Sequence, residues 1–142
     1  MQKKSNSLDH AFHNEKVCKY LNKKSEFADW VITTAFYSAL HFLRGKLFPL
    51  EFGNGSRKIE IVDFDDYCIK NGTTAGKHET LSNLVGEHLP ELYAHYSKLK
   101  SLSWTARYNC YEYDRDLSNH ALEKLELIKN GCGYGKLTTP ER

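Results

Sequence analysis

At 142 residues the chain is long enough to close one hydrophobic core without disulfide staples. Its 40% hydrophobic and 27% charged residues are the makeup of an ordinary globular protein rather than of a disordered or membrane-spanning one. A formal net charge of +2 excludes the broad positive field of a strongly basic nucleic-acid binder, and the local clusters Lys3–Lys4 and Lys19/Lys23/Lys24 read as solvated helix surface.

Residues 1–7 are polar and expected to be flexible. The stretch MQKKSNSLDHAF carries no apolar signal region, so a cytoplasmic location is expected. From Leu8 to Leu21 the positions Leu8, Ala11/Phe12, Val17 and Tyr20/Leu21 repeat at helical spacing. The segment NKKSEF then turns the chain, with Ser25 as the expected N-cap of the next helix.

That next helix, residues 27–48 (FADWVITTAFYSALHFLRGKLF), is the longest mostly apolar run in the chain. Its uninterrupted part, Trp30 to Leu40, falls short of the roughly 20 apolar residues a membrane span needs and reads as a central helix buried on most sides. Glu26 and Asp29 at its start and Arg44 and Lys46 near its end match the helix dipole. Gly45 and then Pro49 are expected to stop it.

Residues 50–76 form an insertion. Glu51-Phe-Gly-Asn-Gly-Ser reads as a loop, and KIEIVDF alternates as a short strand with no visible partner, hence a surface decoration or a contact with another chain. Asp63 to Lys70 has room for one or two helical turns. Helical spacing resumes from His78 to Leu89, is kinked or restarted by Pro90, and continues through Leu92, Tyr96, Leu99, Leu102/Ser103 and Ala106 to about Tyr108. A tyrosine-rich connection, NCYEYDRD, leads to a last helix from near Asp116. There Leu117, Ala121, Leu125 and Ile128 face inward, and Glu123, Lys124, Glu126 and Lys129 outward. Asn130-Gly131 closes that helix and residues 131–142 are a flexible tail. The expected fold is a single all-α domain, an antiparallel up-and-down four-helix bundle with an irregular insertion after the second helix.

Cys18, Cys68, Cys110 and Cys132 contain no Cys-x-x-Cys pair, so reduced thiols are expected rather than a zinc set or a disulfide framework. His88, Glu91 and His95 have ligand-like spacing, but Pro90 breaks their register, and neither a metal nor a cofactor is expected. There is no Gly-rich phosphate loop and no nucleophile elbow.

In order, DWVITTAFYSALHFL, GKHETLSNLV and LPELYAHYSKLKSLSWTARY resemble the small stand-alone prokaryotic members of the HEPN superfamily (higher eukaryotes and prokaryotes nucleotide-binding). The likeness covers roughly residues 10 to 130 and rests on an FYSALH-type second helix, Lys-His opening the third, and Arg-x-Tyr-like residues near its end. It implies a four-helix bundle that dimerises to bring two active sites together. It also implies a metal-independent endoribonuclease of toxin–antitoxin or phage-defence type, or else a catalytically silent module that docks a protein or binds nucleotide or RNA. The implied partners are RNA, a second copy of the chain, and an antitoxin or defence-system protein; no membrane is implied.

Arg115-Asp116-Leu117-Ser118-Asn119-His120 fits the Arg-polar-His pattern of the family's ribonucleases. His120 would serve as general acid or base, Arg115 would donate to the non-bridging phosphate oxygens, and Asp116 would orient one of them. On one regular helix Arg115 and His120 would point about 140° apart. The pair therefore needs either a helix that begins between them, with Ser118 as N-cap, or a symmetry mate. By register the family's arginine has a second counterpart, Arg107, with no histidine following it. Arg107 with Tyr108, Tyr111 and Tyr113 reads as a stacking surface for unpaired bases or as dimer-interface aromatics. His41 is either a satisfied core histidine or a site-facing one, and His78 a helix-start cap.

Overall fold

The computed structural model describes residues 6–24, 26–52, 56, 58–71, 76–108 and 115–135. Among them the chain forms six helices and one two-stranded antiparallel sheet: α1 (Ser7–Asn22), α2 (Ala28–Leu47), β1 (Leu50–Phe52), β2 (Ile59–Ile61), α3 (Phe64–Asn71), α4 (Lys77–His88), α5 (Pro90–Tyr108) and α6 (Arg115–Gly131). None of these helices is long and apolar enough to cross a membrane.

The α2 helix packs against α1, α5, α6 and α4, because its apolar residues surround most of its circumference. Val31, Ile32, Ala35, Phe36, Phe42 and Leu43 are all at or below 1% exposure, which leaves little of the helix in contact with water. Against α1, Phe12 meets Phe42 edge-on at 5.1 Å, and the Ser38 hydroxyl donates to the Ala11 carbonyl at 2.7 Å. That bond satisfies a hydroxyl in the core which would otherwise cost free energy to bury. Against α5, Phe36 stacks on the fully buried Tyr96 ring at 5.7 Å. Ala121, Leu125 and Ile128 of α6 close the core from the remaining side, each at 0% exposure.

Several local expectations are corrected. Gly45 does not end α2, which runs on to Leu47; the missing side chain instead leaves room for Leu8 of α1 to lie alongside. The N-cap of α2 is Phe27 with no side-chain cap bond, and Ser25 lies outside the described residues. The strand in the insertion is not partnerless. Ile59–Ile61 pairs with Leu50–Phe52 in the register Leu50↔Ile61, Glu51↔Glu60, Phe52↔Ile59, so the stretch read as loop begins with a strand. Asp63 caps the start of α3: its carboxylate accepts from the Asp66 amide at 2.8 Å, and Asp66 in turn accepts from the Val62 amide, one residue before the cap, at 3.2 Å. Phe64 of α3 is buried against Phe48.

The last helix brings two more corrections. Lys129, expected on the outer face, is 5% exposed and reaches Glu15 of α1, itself 4% exposed, at 3.0 Å. The chain beyond Gly131 remains packed as far as Tyr134. Gly133 takes the left-handed conformation at φ +90°, and the Tyr134 amide returns to the Lys129 carbonyl at 3.0 Å in a Schellman-type ending. Cys132 is buried and Tyr134 stacks on Phe42 at 5.7 Å.

Candidate functional site

The α6 helix begins at Arg115, so Ser118 is inside its first turn and not its N-cap. The Ser118 hydroxyl donates to the Arg115 carbonyl at 3.0 Å and to Asn22 Oδ1 at 3.3 Å, tying the start of α6 to the end of α1. Arg115 and Asp116 are exposed and His120 is half-buried. Five steps along a regular helix turn about 500°, leaving Arg115 and His120 about 140° apart on one chain. Asp116 and His120, four residues apart, share a flank of α6, whereas Arg115 lies toward Leu21, Asn22 and Phe27. The hollow beside Arg115 has a volume of about 10 Å³, room for no more than a water molecule. One protomer thus does not bring the Arg115 and His120 side chains to a common point.

Arg107 has richer surroundings. It lies in the last turn of α5, and its Nη1 donates to the Tyr37 hydroxyl of α2 at 2.6 Å. Its guanidinium stands 5.6 Å from the Tyr37 ring, 5.9 Å from Phe36 and 5.2 Å from Tyr108. Tyr108 in turn pairs with Trp104 at 5.0 Å, and these two rings are 65% and 53% exposed. Two aromatic side chains left to solvent beside a planar cation suit a flat partner. Tyr111 and Tyr113 lie outside the described residues.

His78, at the start of α4, completes this face. Its ring tilts against Phe36 at 5.6 Å. Desolvation, then Arg107, then Lys100 push its proton affinity below the ordinary histidine value, so the imidazole is neutral at pH 7. The N-cap of α4 is Gly76, and His78 sits beyond it, one residue into the helix, where it faces α2 and α5 instead of closing the end.

Next to this face lies a cavity of about 190 Å³. It is walled by Tyr37, Leu40, His41 and Arg44 of α2, Phe64 of α3, and Lys77, His78 and Leu81 of α4. Arg44 stacks over Phe64 at 4.9 Å and its Nη2 meets Asp65 at 3.5 Å. Lys77 shares the same carboxylate at 3.4 Å. His41 stacks on His10 at 4.9 Å, and burial, then Arg44, then His10 lower its pKa to about 4. Among the described residues, His41 Nδ1, Arg44 Nε and the Tyr96 hydroxyl are buried without a hydrogen-bond partner.

Sequence reasoning placed Arg107 and Tyr108 in a candidate surface but did not link them to Tyr37, Arg44, Lys77 or His78. A signal was available. Trp30, Thr34, Tyr37, His41 and Arg44 recur at helical spacing and form the one stripe of α2 that the core leaves uncovered. The segments that carried the family resemblance, FYSALH, Lys77-His78 and Arg107-Tyr108, are the ones that meet here. His88 and Glu91 fall on two different helices, and His95 Nδ1 stands 3.2 Å from the Lys124 ammonium, a cation where a ligand set would want a metal. No group of three or more metal-ligating side chains stands together among the described residues.

No family model matches the chain, nor does any curated protein or solved structure.

Proposed function

We propose that this chain is a HEPN-like, RNA-directed protein. In this reading α1, α2, α5 and α6 are the four helices of the family's bundle, and the face formed by α2, α4 and α5 receives single-stranded RNA. The observation that carries it is the meeting of Arg107, Tyr37 and His78 beside the exposed Trp104–Tyr108 pair. Unpaired RNA offers phosphates for a guanidinium and base faces for aromatic rings, and this surface supplies both within one helical turn of α5.

The activity we assign to it is metal-independent cleavage. Attack of a 2′-hydroxyl on the adjacent phosphorus forms one P–O bond and breaks the bond to the 5′-oxygen. It needs a base for the hydroxyl proton, an acid for the departing oxygen, and donors for the phosphorane charge. His78, neutral at pH 7, suits the base and, once it carries the 2′-hydroxyl proton, can return that proton to the departing 5′-oxygen, while Arg107 suits the non-bridging oxygens. Arg115 and His120 would serve only if two protomers of a homodimer each contributed one of them.

The test is binding and cleavage of a fluorescent single-stranded RNA in EDTA. Wild type is expected to cleave, Arg107→Ala to lose binding, and His78→Ala to bind without cleaving. If Arg115→Ala and His120→Ala are each inactive but recover activity when mixed, the two-protomer arrangement holds instead. Wild-type protein that neither binds nor cleaves RNA overturns the proposal. The 140° divergence of Arg115 and His120 favours a second reading, a silent module; binding by wild type without cleavage would establish it.

A further inference from the structure

The cavity beside the RNA face has a chemistry of its own. Its mouth carries the cations Arg44 and Lys77, with Asp65 as their shared counter-ion, so one positive charge is left over. Arg107 and Lys100 add to the positive potential at its His78 side. Its floor is apolar, formed by Leu40, Phe64 and Leu81. Arg44 is held in place by the Phe64 ring and Asp65, yet its Nε is buried with no acceptor among the described residues. His41 Nδ1, a donor or an acceptor according to its tautomer, also lacks a partner among the described residues. A buried donor without an acceptor is uncommon, and Arg44 Nε, in a wall of this cationic cavity, suggests a missing acceptor-rich group.

A volume of about 190 Å³ is below the roughly 300–1,000 Å³ of sites for drug-sized ligands. It has room for a tetrahedral oxyanion and part of a sugar, not for a whole nucleotide. The buried Leu40, Phe64 and Leu81 make one side of it apolar, which suits a strand that ends there better than one that passes through.

From this geometry we propose that the cavity between α2, α3 and α4 binds a phosphomonoester, the terminal phosphate of an RNA strand lying on the adjacent face. Arg44 and Lys77 hold the dianion, and His41 and His78 flank it. The inference rests on the RNA reading for the source of the phosphate, and on the cavity for its chemistry.

The experiment compares 12-nucleotide single-stranded RNAs bearing a 5′-phosphate, a 3′-phosphate or hydroxyls at both ends, by fluorescence anisotropy. Phosphate titration followed by ³¹P NMR and AMP against adenosine by calorimetry run alongside. One phosphorylated end is expected to bind at least fivefold more tightly than the hydroxyl-ended strand. Lys77→Ala, at an exposed position, and Arg44→Gln are expected to abolish that preference while leaving the hydroxyl-ended strand's affinity unchanged. Circular dichroism of Arg44→Gln separates loss of the site from loss of the fold, and Lys77→Ala decides alone if Arg44→Gln unfolds. Equal affinity for all three strands overturns the cavity's role and leaves the RNA reading standing. AMP or phosphate binding that Lys77→Ala removes, without any RNA binding, supports the cavity and overturns the RNA reading. No binding of any probe overturns both.

Discussion

Arg107 of α5 and Tyr37 of α2 are joined at 2.6 Å, Nη1 to hydroxyl, across two helices that share the core. The bond fixes one edge of the guanidinium while its plane lies near the Phe36, Tyr37 and Tyr108 rings, so the cation is oriented before any ligand arrives. Tyr37→Phe keeps the ring and removes the acceptor. Hydrogen bonds to charged groups contribute about 1.5–3 kcal/mol, and both partners here are half-buried, so the low end applies. The expected result is a stability loss of about 1.5 kcal/mol by urea denaturation, together with several-fold weaker RNA binding. Wild-type affinity in Tyr37→Phe would remove the pre-orienting role.

Trp104 is 53% exposed and buries little against the core, so Trp104→Ala should leave the urea midpoint close to wild type. Base–aromatic stacking is worth about 1–3 kcal/mol per base, which converts to about 5- to 150-fold in affinity. Anisotropy with a single-stranded RNA checks this. A Trp104→Ala protein that binds as tightly as wild type would mean that the Trp104–Tyr108 pair is not a base platform.

The long helices were legible in the sequence because apolar residues such as Val31, Phe42, Leu99 and Leu125 recur at a spacing that only a helix brings to one core. β1 was not, since three residues ahead of the sequence Gly-Asn-Gly carry too little period to register. Lys129 was misassigned because a lone lysine normally marks a wet face, and its buried partner Glu15 is at the opposite end of the sequence. The same limit applied to the site. Arg115 and His120 are close in sequence and diverge in space, while Tyr37, His78 and Arg107 are far apart in sequence and meet. Spacing along the chain reports one helix at a time, and this face is assembled from three.

The Glu15–Lys129 pair tests how α1 and α6 are held together. Both side chains are nearly inaccessible, with Lys129 Nζ 3.1 Å from Oε1 and 3.0 Å from Oε2. Removing one partner of a buried pair strands a charge and costs about 3–5 kcal/mol, whereas an apolar replacement of both is often neutral. Glu15 keeps a second cation, Lys19 at 3.4 Å, so the variant that strands a charge is Glu15→Leu, which should lower stability by about 3–5 kcal/mol, and adding Lys129→Met should recover most of it. Additive losses in the double variant by urea denaturation would show that the two sites act independently.

His41 gives the fold a pH dependence of defined sign. Its pKa is about 4 in the folded chain against an ordinary 6.5, lowered by burial, by Arg44 and by His10. Lys77 and His78 line the same cavity, and the lowered proton affinity of His78 acts in the same direction. Between those two values the unfolded chain binds more protons than the folded one. Stability from His41 is thus fully present above pH 6.5 and is lost as the pH falls toward 4. A tenfold difference in proton affinity between the folded and unfolded chain corresponds to about 1.4 kcal/mol. Solvent screening reduces that figure at this half-buried site, so about 1 kcal/mol should go between pH 7 and pH 5. Urea midpoints at the two pH values should converge in His41→Gln, which cannot take up the proton. An undiminished difference in that variant would assign the pH dependence to other groups. Because terminal phosphate would oppose the desolvation of a protonated His41, adding a 5′-phosphorylated RNA to wild type should also shrink the difference.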